Sequence, residues 1–113
     1  MDSKAVEMMI EPGAEKLVAQ MGKRMKTRAR SKVIDRTLSQ IREDFHISDI
    51  AAWFREDVFA PSRRTTVRLS PDNADYVAAL AQTVGKGRPA VLMGLIYFAA
   101  ANLSRDDLES LRV

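Results

Sequence analysis

The stretch Arg64-Thr65-Thr66-Val67-Arg68-Leu69-Ser70-Pro71 decides the fold of this 113-residue chain, because its polar and apolar residues alternate. Val67 and Leu69 fall on one side of an extended strand, and polar residues fall on the other. Ser70 is a good helix cap, and Pro71 suits the first helical position, where a backbone N–H needs no partner. The stretch therefore predicts a strand that leads directly into a helix.

Two helices are predicted after this strand. The turn Gly85-Lys86-Gly87 ends the first helix, in which apolar residues recur at helical spacing. The second helix opens at Arg88-Pro89 and is apolar over most of its circumference, which is typical of a helix buried on several sides. A short C-terminal helix is predicted within residues 104–113. Because one strand needs another for its backbone hydrogen bonds, we expect it to pair antiparallel with the same strand of a second subunit.

The first half of the chain has a different sequence pattern. Residues 1–13 have no strong period and end at the breaker pair Pro12-Gly13, so they are interpreted as a loose leader. Residues 14–60 have apolar side chains at helical spacing and form a predicted helical N-terminal region. The first half does not align convincingly on the second, and no internal repeat is predicted.

The order of strand, helix of about 14 residues, glycine-containing turn and apolar helix over about residues 62–103 resembles the ribbon-helix-helix family of DNA-binding proteins. The resemblance implies a DNA-binding domain over residues 61–103. This family includes the Arc, MetJ and CopG repressors. The fold class that the resemblance implies is mainly α, with a C-terminal ribbon-helix-helix domain after the helical region. Its two-stranded antiparallel ribbon would form between the two subunits of a dimer.

In this family the ribbon enters the major groove, and outward-facing strand residues read base edges. Arginine can bond a guanine through two hydrogen bonds, and threonine offers a hydroxyl to bases and a methyl to thymine. The start of the second helix lies against a phosphate. The resemblance therefore implies base reading by Arg64, Thr66 and Arg68, and phosphate binding at Arg63, Gly87 and Arg88.

A basic segment within residues 23–32 is a further candidate for DNA contact. The net charge of the chain is only +3, yet residues 16–32 hold seven basic residues and no acidic one. At 100° per residue these side chains spread around a whole helix. Two interpretations stay open: a flexible arm that follows phosphates, or a helix neutralised by its neighbours. The candidate arm residues are Lys23, Arg24, Lys26, Arg28, Arg30 and Lys32.

The composition argues against several classes of function. Cysteine is absent and His46 is the single histidine, so the sequence offers no metal site and no thiol chemistry. It shows no nucleophile–base set and no phosphate loop, and we expect neither an enzyme nor a cofactor. It has no signal-peptide pattern and no apolar run long enough to cross a membrane, which predicts a cytoplasmic protein without a membrane partner.

Two functions are predicted from these features. The first is a dimeric, sequence-specific protein that binds double-stranded DNA, as a transcriptional repressor or as an accessory factor in plasmid partition or conjugation. It would act as a homodimer or as a higher oligomer on DNA. The alternative is a helical protein–protein interaction module, antitoxin-like or an adaptor, in which residues 14–60 bind a protein and the ribbon only dimerises.

Overall fold

A computed structural model describes residues 3–54 and 63–111 of the chain. These residues form two strands and six helices. In chain order the elements are β1 (Lys4–Ile10), α1 (Pro12–Met25), α2 (Arg30–Asp44), α3 (Ile47–Trp53), β2 (Arg63–Leu69), α4 (Pro71–Val84), α5 (Arg88–Asn102) and α6 (Arg105–Ser110). Among the described residues, no helix combines the length and the apolar character needed to cross a membrane.

The two strands pair with each other within one chain. β1 runs antiparallel to β2 over seven residues, from Lys4 opposite Leu69 to Ile10 opposite Arg63. Residues 4–10 are therefore a strand and not a loose leader, and they take the place predicted for a second subunit. The predicted C-terminal ribbon-helix-helix domain with a ribbon formed between subunits is wrong.

Two features of the sequence conceal β1. Met9 lies on the outer face of the ribbon, so residues 8–10 read as a continuous apolar run and not as an alternation. Pro12 reads as a chain breaker, but it is the first residue of α1, as Pro71 is the first residue of α4.

The chain repeats one order of elements: β1-α1-α2-α3 is followed by β2-α4-α5-α6. A shift of 59 residues relates the two strands and the helices that follow them, and a shift of 58 residues relates the later helices. The first helix has 14 residues in both halves, and the second has 15. The prediction that the chain has no internal repeat is therefore wrong at the level of structure.

Burial explains why the repeat is hard to recognise in the sequence. Few residues are identical at equivalent positions, whereas apolar residues are buried at many of them. Examples of such buried pairs are Val18 and Val77, Met21 and Leu80, Val33 and Val91, and Ile34 and Leu92. A core requires a suitable volume and apolar character at each position more than it requires one side chain.

The second helix of each half packs on the strand of the other half. α5 lies on β1, and α2 lies on β2, so the halves are interlocked around the ribbon. The inner face of the ribbon contributes the buried side chains of Met8, Ile10, Val67 and Leu69 to the core. The apolar circumference of α5, which predicted packing across a dimer, is buried between elements of the same chain.

A partly buried polar cluster connects α2 to the start of α4. The Asp35 carboxylate accepts hydrogen bonds from the backbone N–H of Ser70 and from the Asn73 side chain, both at 2.8 Å. Asn73 is fully buried, so its amide has no access to water as a substitute partner. At the equivalent place in the other half, the Tyr97 hydroxyl on α5 donates to the carboxylate of Glu11, the residue that precedes α1.

Removing the Asp35 carboxylate should destabilise the fold. Asp35→Ala leaves the Ser70 N–H and part of the Asn73 amide without partners, which costs about 2 kcal/mol in the free energy of unfolding. Glu43→Ala, an exposed change on the same helix, should alter it by less than about 0.5 kcal/mol. Urea denaturation of both variants checks this, and equal stabilities would contradict the role given to Asp35.

The Tyr97–Glu11 contact has a spectroscopic signature. Partial burial, the hydrogen bond to Glu11 and the charge of that carboxylate raise the pKa of Tyr97 from 10.0 to about 12. At pH 11 about a tenth of Tyr97 should be ionised, against about nine tenths for an unperturbed tyrosine. The difference in absorbance at 295 nm between the wild type and Tyr97→Phe measures this fraction. Glu11→Gln should increase it, and full ionisation at pH 11 in the wild type would contradict the contact.

Candidate nucleic-acid interface

The outer face of the ribbon presents six side chains away from the core. Paired residues of an antiparallel ribbon share a face, and every second residue along a strand lies on it. We call this surface the ribbon face; its opposed pairs are Ala5 and Arg68, Glu7 and Thr66, and Met9 and Arg64. All of these side chains are exposed except Met9, which is half-buried.

The three side chains predicted to read bases all lie on the ribbon face. Arg64, Thr66 and Arg68 are exposed, whereas the alternate residues Val67 and Leu69 are buried. The strand therefore has the orientation predicted from its alternating sequence.

Both arginines of the ribbon face bond to residues near the N-terminus of the chain. Arg64 donates to the Glu7 carboxylate at 2.7 Å, although both side chains are more than half exposed. Arg68 donates from Nε to the Ser3 hydroxyl at 2.7 Å and from Nη2 to the Ser3 carbonyl at 3.0 Å. An exposed ion pair of this kind contributes little to stability, so a ligand can separate it at low cost.

Two further arginines stand at equivalent positions beside the ribbon. Arg30 begins α2 and Arg88 begins α5, and we call them the flanking arginines. Arg30 donates to the Thr65 hydroxyl of β2 at 3.2 Å and lies 3.8 Å from the Glu15 carboxylate. The same helix start bonds to the strand, since the Ser31 hydroxyl accepts from the backbone N–H of Arg68 at 2.9 Å.

Arg88 has a similar position beside β1. It lines an open hollow of about 420 Å³ together with Pro89, the β1 residues Ala5, Val6 and Glu7, and Arg64. Gly87 is the N-cap of α5 and has no side chain to cap the helix. The first backbone N–H groups of a helix lack partners within the helix, and they favour an anion. The predicted phosphate-binding residues Gly87 and Arg88 thus lie next to the ribbon face.

Arg63, the third predicted phosphate-binding residue, pairs through its backbone with Ile10 at the beginning of β2. Its side chain lies outside the described part of the structure. The end of the predicted helical region 14–60, from residue 55 onward, also lies outside it.

The basic segment is a corner between two helices and not an extended arm. Lys23 and Arg24 lie in the last turn of α1, Lys26 ends that helix in the left-handed conformation (φ 60°), and α2 begins at Arg30. The corner is tight: a Cβ on Gly22 would approach the carbonyl oxygen of Thr27 to 2.7 Å. Arg28 and Lys32 are exposed on this corner. Of the six candidate residues, Arg30 contacts the ribbon, because its side chain donates a hydrogen bond to Thr65 in β2.

Sequence reasoning missed the contribution of β1 to this surface. Ala5, Glu7 and Met9 supply half of the ribbon face, although residues 1–13 read as a leader. The available signal was the spacing of Val6, Met8 and Ile10, followed by a proline at a helix start as in Ser70-Pro71.

The described residues contain no group of three or more acidic or histidine side chains placed to hold a metal ion. The chain matches no protein-family model, no curated protein and no solved structure.

Proposed function

We propose that this chain is a sequence-specific DNA-binding protein that inserts the ribbon face into the major groove of double-stranded DNA. The observation that carries the proposal is the exposure of Arg64, Thr66 and Arg68 on one face of a two-stranded ribbon, with an arginine beside each strand. The major groove is about 12 Å wide and admits a two-stranded ribbon. Arginine and threonine are side chains that read base edges there.

The flanking arginines support a role in positioning the ribbon. Arg30 and Arg88 each stand at a helix start next to one strand, where a charged side chain and backbone N–H groups can bind a phosphate together. Phosphate contacts of this kind set the register of a protein on DNA, and base contacts set its sequence preference.

The sequence resemblance of about residues 62–103 to the ribbon-helix-helix family also supports DNA binding. Both strands of the ribbon come from one chain, so the ribbon face is complete without a second subunit. Within this proposal the biological role is that of a transcriptional repressor or of an accessory factor in plasmid partition or conjugation. Such a role places the protein in the cytoplasm, where DNA is accessible to it.

A protein–protein interaction module is the second candidate function. An open hollow of about 620 Å³ lies between helices, lined by apolar residues such as Leu17 and Leu108 and by the basic residues Lys23 and Arg24. Such a lining suits an acidic partner with apolar side chains. In that case DNA binding would be weak and independent of sequence, and changes on the ribbon face would leave partner binding intact.

Arg68→Ala should reduce specific DNA binding through the loss of base contacts. A selection from random duplexes supplies the preferred site, and fluorescence anisotropy then compares this site with a shuffled duplex. We expect the variant to lose about 1–3 kcal/mol of binding free energy on the preferred site and much less on the shuffled duplex. Arg105→Ala on α6 removes the same charge away from the ribbon and should keep the preference. Equal losses on both duplexes would contradict base reading by Arg68.

Substitution of the flanking arginines should change the salt dependence of DNA binding and leave the sequence preference unchanged. Each phosphate contact contributes about 0.9 to the slope of log affinity against log salt concentration. Arg30→Ala and Arg88→Ala should each lower this slope by about one while the ranking of sequences stays the same. Binding titrations at several salt concentrations measure the slope, and an unchanged slope in both variants would rule out the phosphate contacts.

A further inference from the structure

The ribbon has a symmetric backbone and an asymmetric surface. The 59-residue shift relates Glu7 to Thr66, and these two residues also lie directly opposite each other. This is the register that a two-fold axis through the Glu7–Thr66 pair would produce. The side chains do not follow that symmetry, since Ala5 is equivalent to Arg64 and Met9 is equivalent to Arg68.

The two strands therefore offer different chemistry to DNA. β2 presents the hydrogen-bond donors Arg64 and Arg68, which suit the O6 and N7 acceptors of guanine. β1 presents the carboxylate of Glu7, which only accepts hydrogen bonds and suits the N4 amino group of cytosine. Ala5 and Met9 are apolar side chains that suit the methyl group of thymine.

The ion pair on the ribbon face places a donor beside an acceptor. Arg64 Nη1 lies 2.7 Å from Glu7 Oε1, with 65% of the Arg64 side chain and 56% of the Glu7 side chain exposed. In the major groove a G·C pair presents guanine acceptors next to a cytosine donor. The Arg64–Glu7 pair is complementary to that pattern, and the carboxylate repels a phosphate or a base that presents acceptors alone.

We infer that a single chain recognises one asymmetric DNA site and that Glu7 is a specificity-determining residue in it. Glu7 selects the cytosine that is paired with the guanine contacted by Arg64. This inference rests on the proposed function. Both strands of the ribbon and both flanking arginines belong to one chain, so one chain per site suffices. A ribbon of two identical strands would instead favour an inverted repeat.

Selection with the full chain from a pool of random duplexes tests the inference. The expected result is one enriched motif without inverted-repeat symmetry, bound by one chain per duplex in sedimentation equilibrium. An inverted repeat, or two chains on the shortest duplex that binds, would overturn the inference and leave sequence-specific binding standing. Enrichment of no sequence at all would overturn the proposed function and the inference with it.

Glu7→Gln tests the specificity residue itself. The side chain keeps its size but can donate as well as accept, so the preference for cytosine at one position should fall about tenfold. The preference for guanine at the position that Arg68 contacts should stay unchanged. Glu109→Gln removes the same charge from α6, where Glu109 pairs with Arg105 at 3.1 Å, and should leave the whole profile unchanged. A uniform gain in affinity for all sequences in Glu7→Gln would show a general charge effect and overturn the specificity role.

Discussion

The backbone ladder between β1 and β2 is the constraint on which the rest of the structure depends. A strand without a partner leaves a row of N–H and C=O groups that must find hydrogen bonds elsewhere. Each strand of this chain satisfies the other over seven residues. The pairing requires the first and the second half to meet face to face, and the packing of α5 on β1 and of α2 on β2 follows from it.

The interlocked arrangement also explains the unequal character of the two halves. α5 is buried on nearly all sides, with Val91, Leu92, Met93 and Leu95 among its buried residues. α2 has one buried stripe and exposes residues such as Arg36 and Arg42 to solvent. α5 therefore lies near the centre of the fold, and α2, its equivalent in the first half, lies nearer the surface.

Much of the second half follows from local sequence signals. Ser70-Pro71 marks the end of β2 and the start of α4, Gly85 ends α4 in the left-handed conformation, and Ser104 caps α6 with Asp107 in a capping box. These signals act over three or four residues, so they can be read without knowledge of the tertiary structure.

The partner of β2 cannot be predicted from local sequence signals of this kind. Pairing residues 4–10 with residues 63–69 is a contact over nearly 60 positions, and no local signal specifies it. The sequence predicts that this strand needs a partner, and a second copy and a distant segment of the same chain satisfy that need equally well. Half of the ribbon face, including Glu7, was hidden for the same reason.

The central claim is that the ribbon forms within one chain, and isotope-filtered nuclear Overhauser spectroscopy tests it most directly. A uniformly labelled sample should show cross-strand contacts between Glu7 and Thr66. An equal mixture of labelled and unlabelled chains, unfolded and refolded together, should show none of these contacts in the filtered spectrum. Contacts in that spectrum between β2 strands, or between β1 of one chain and β2 of another, would contradict the claim.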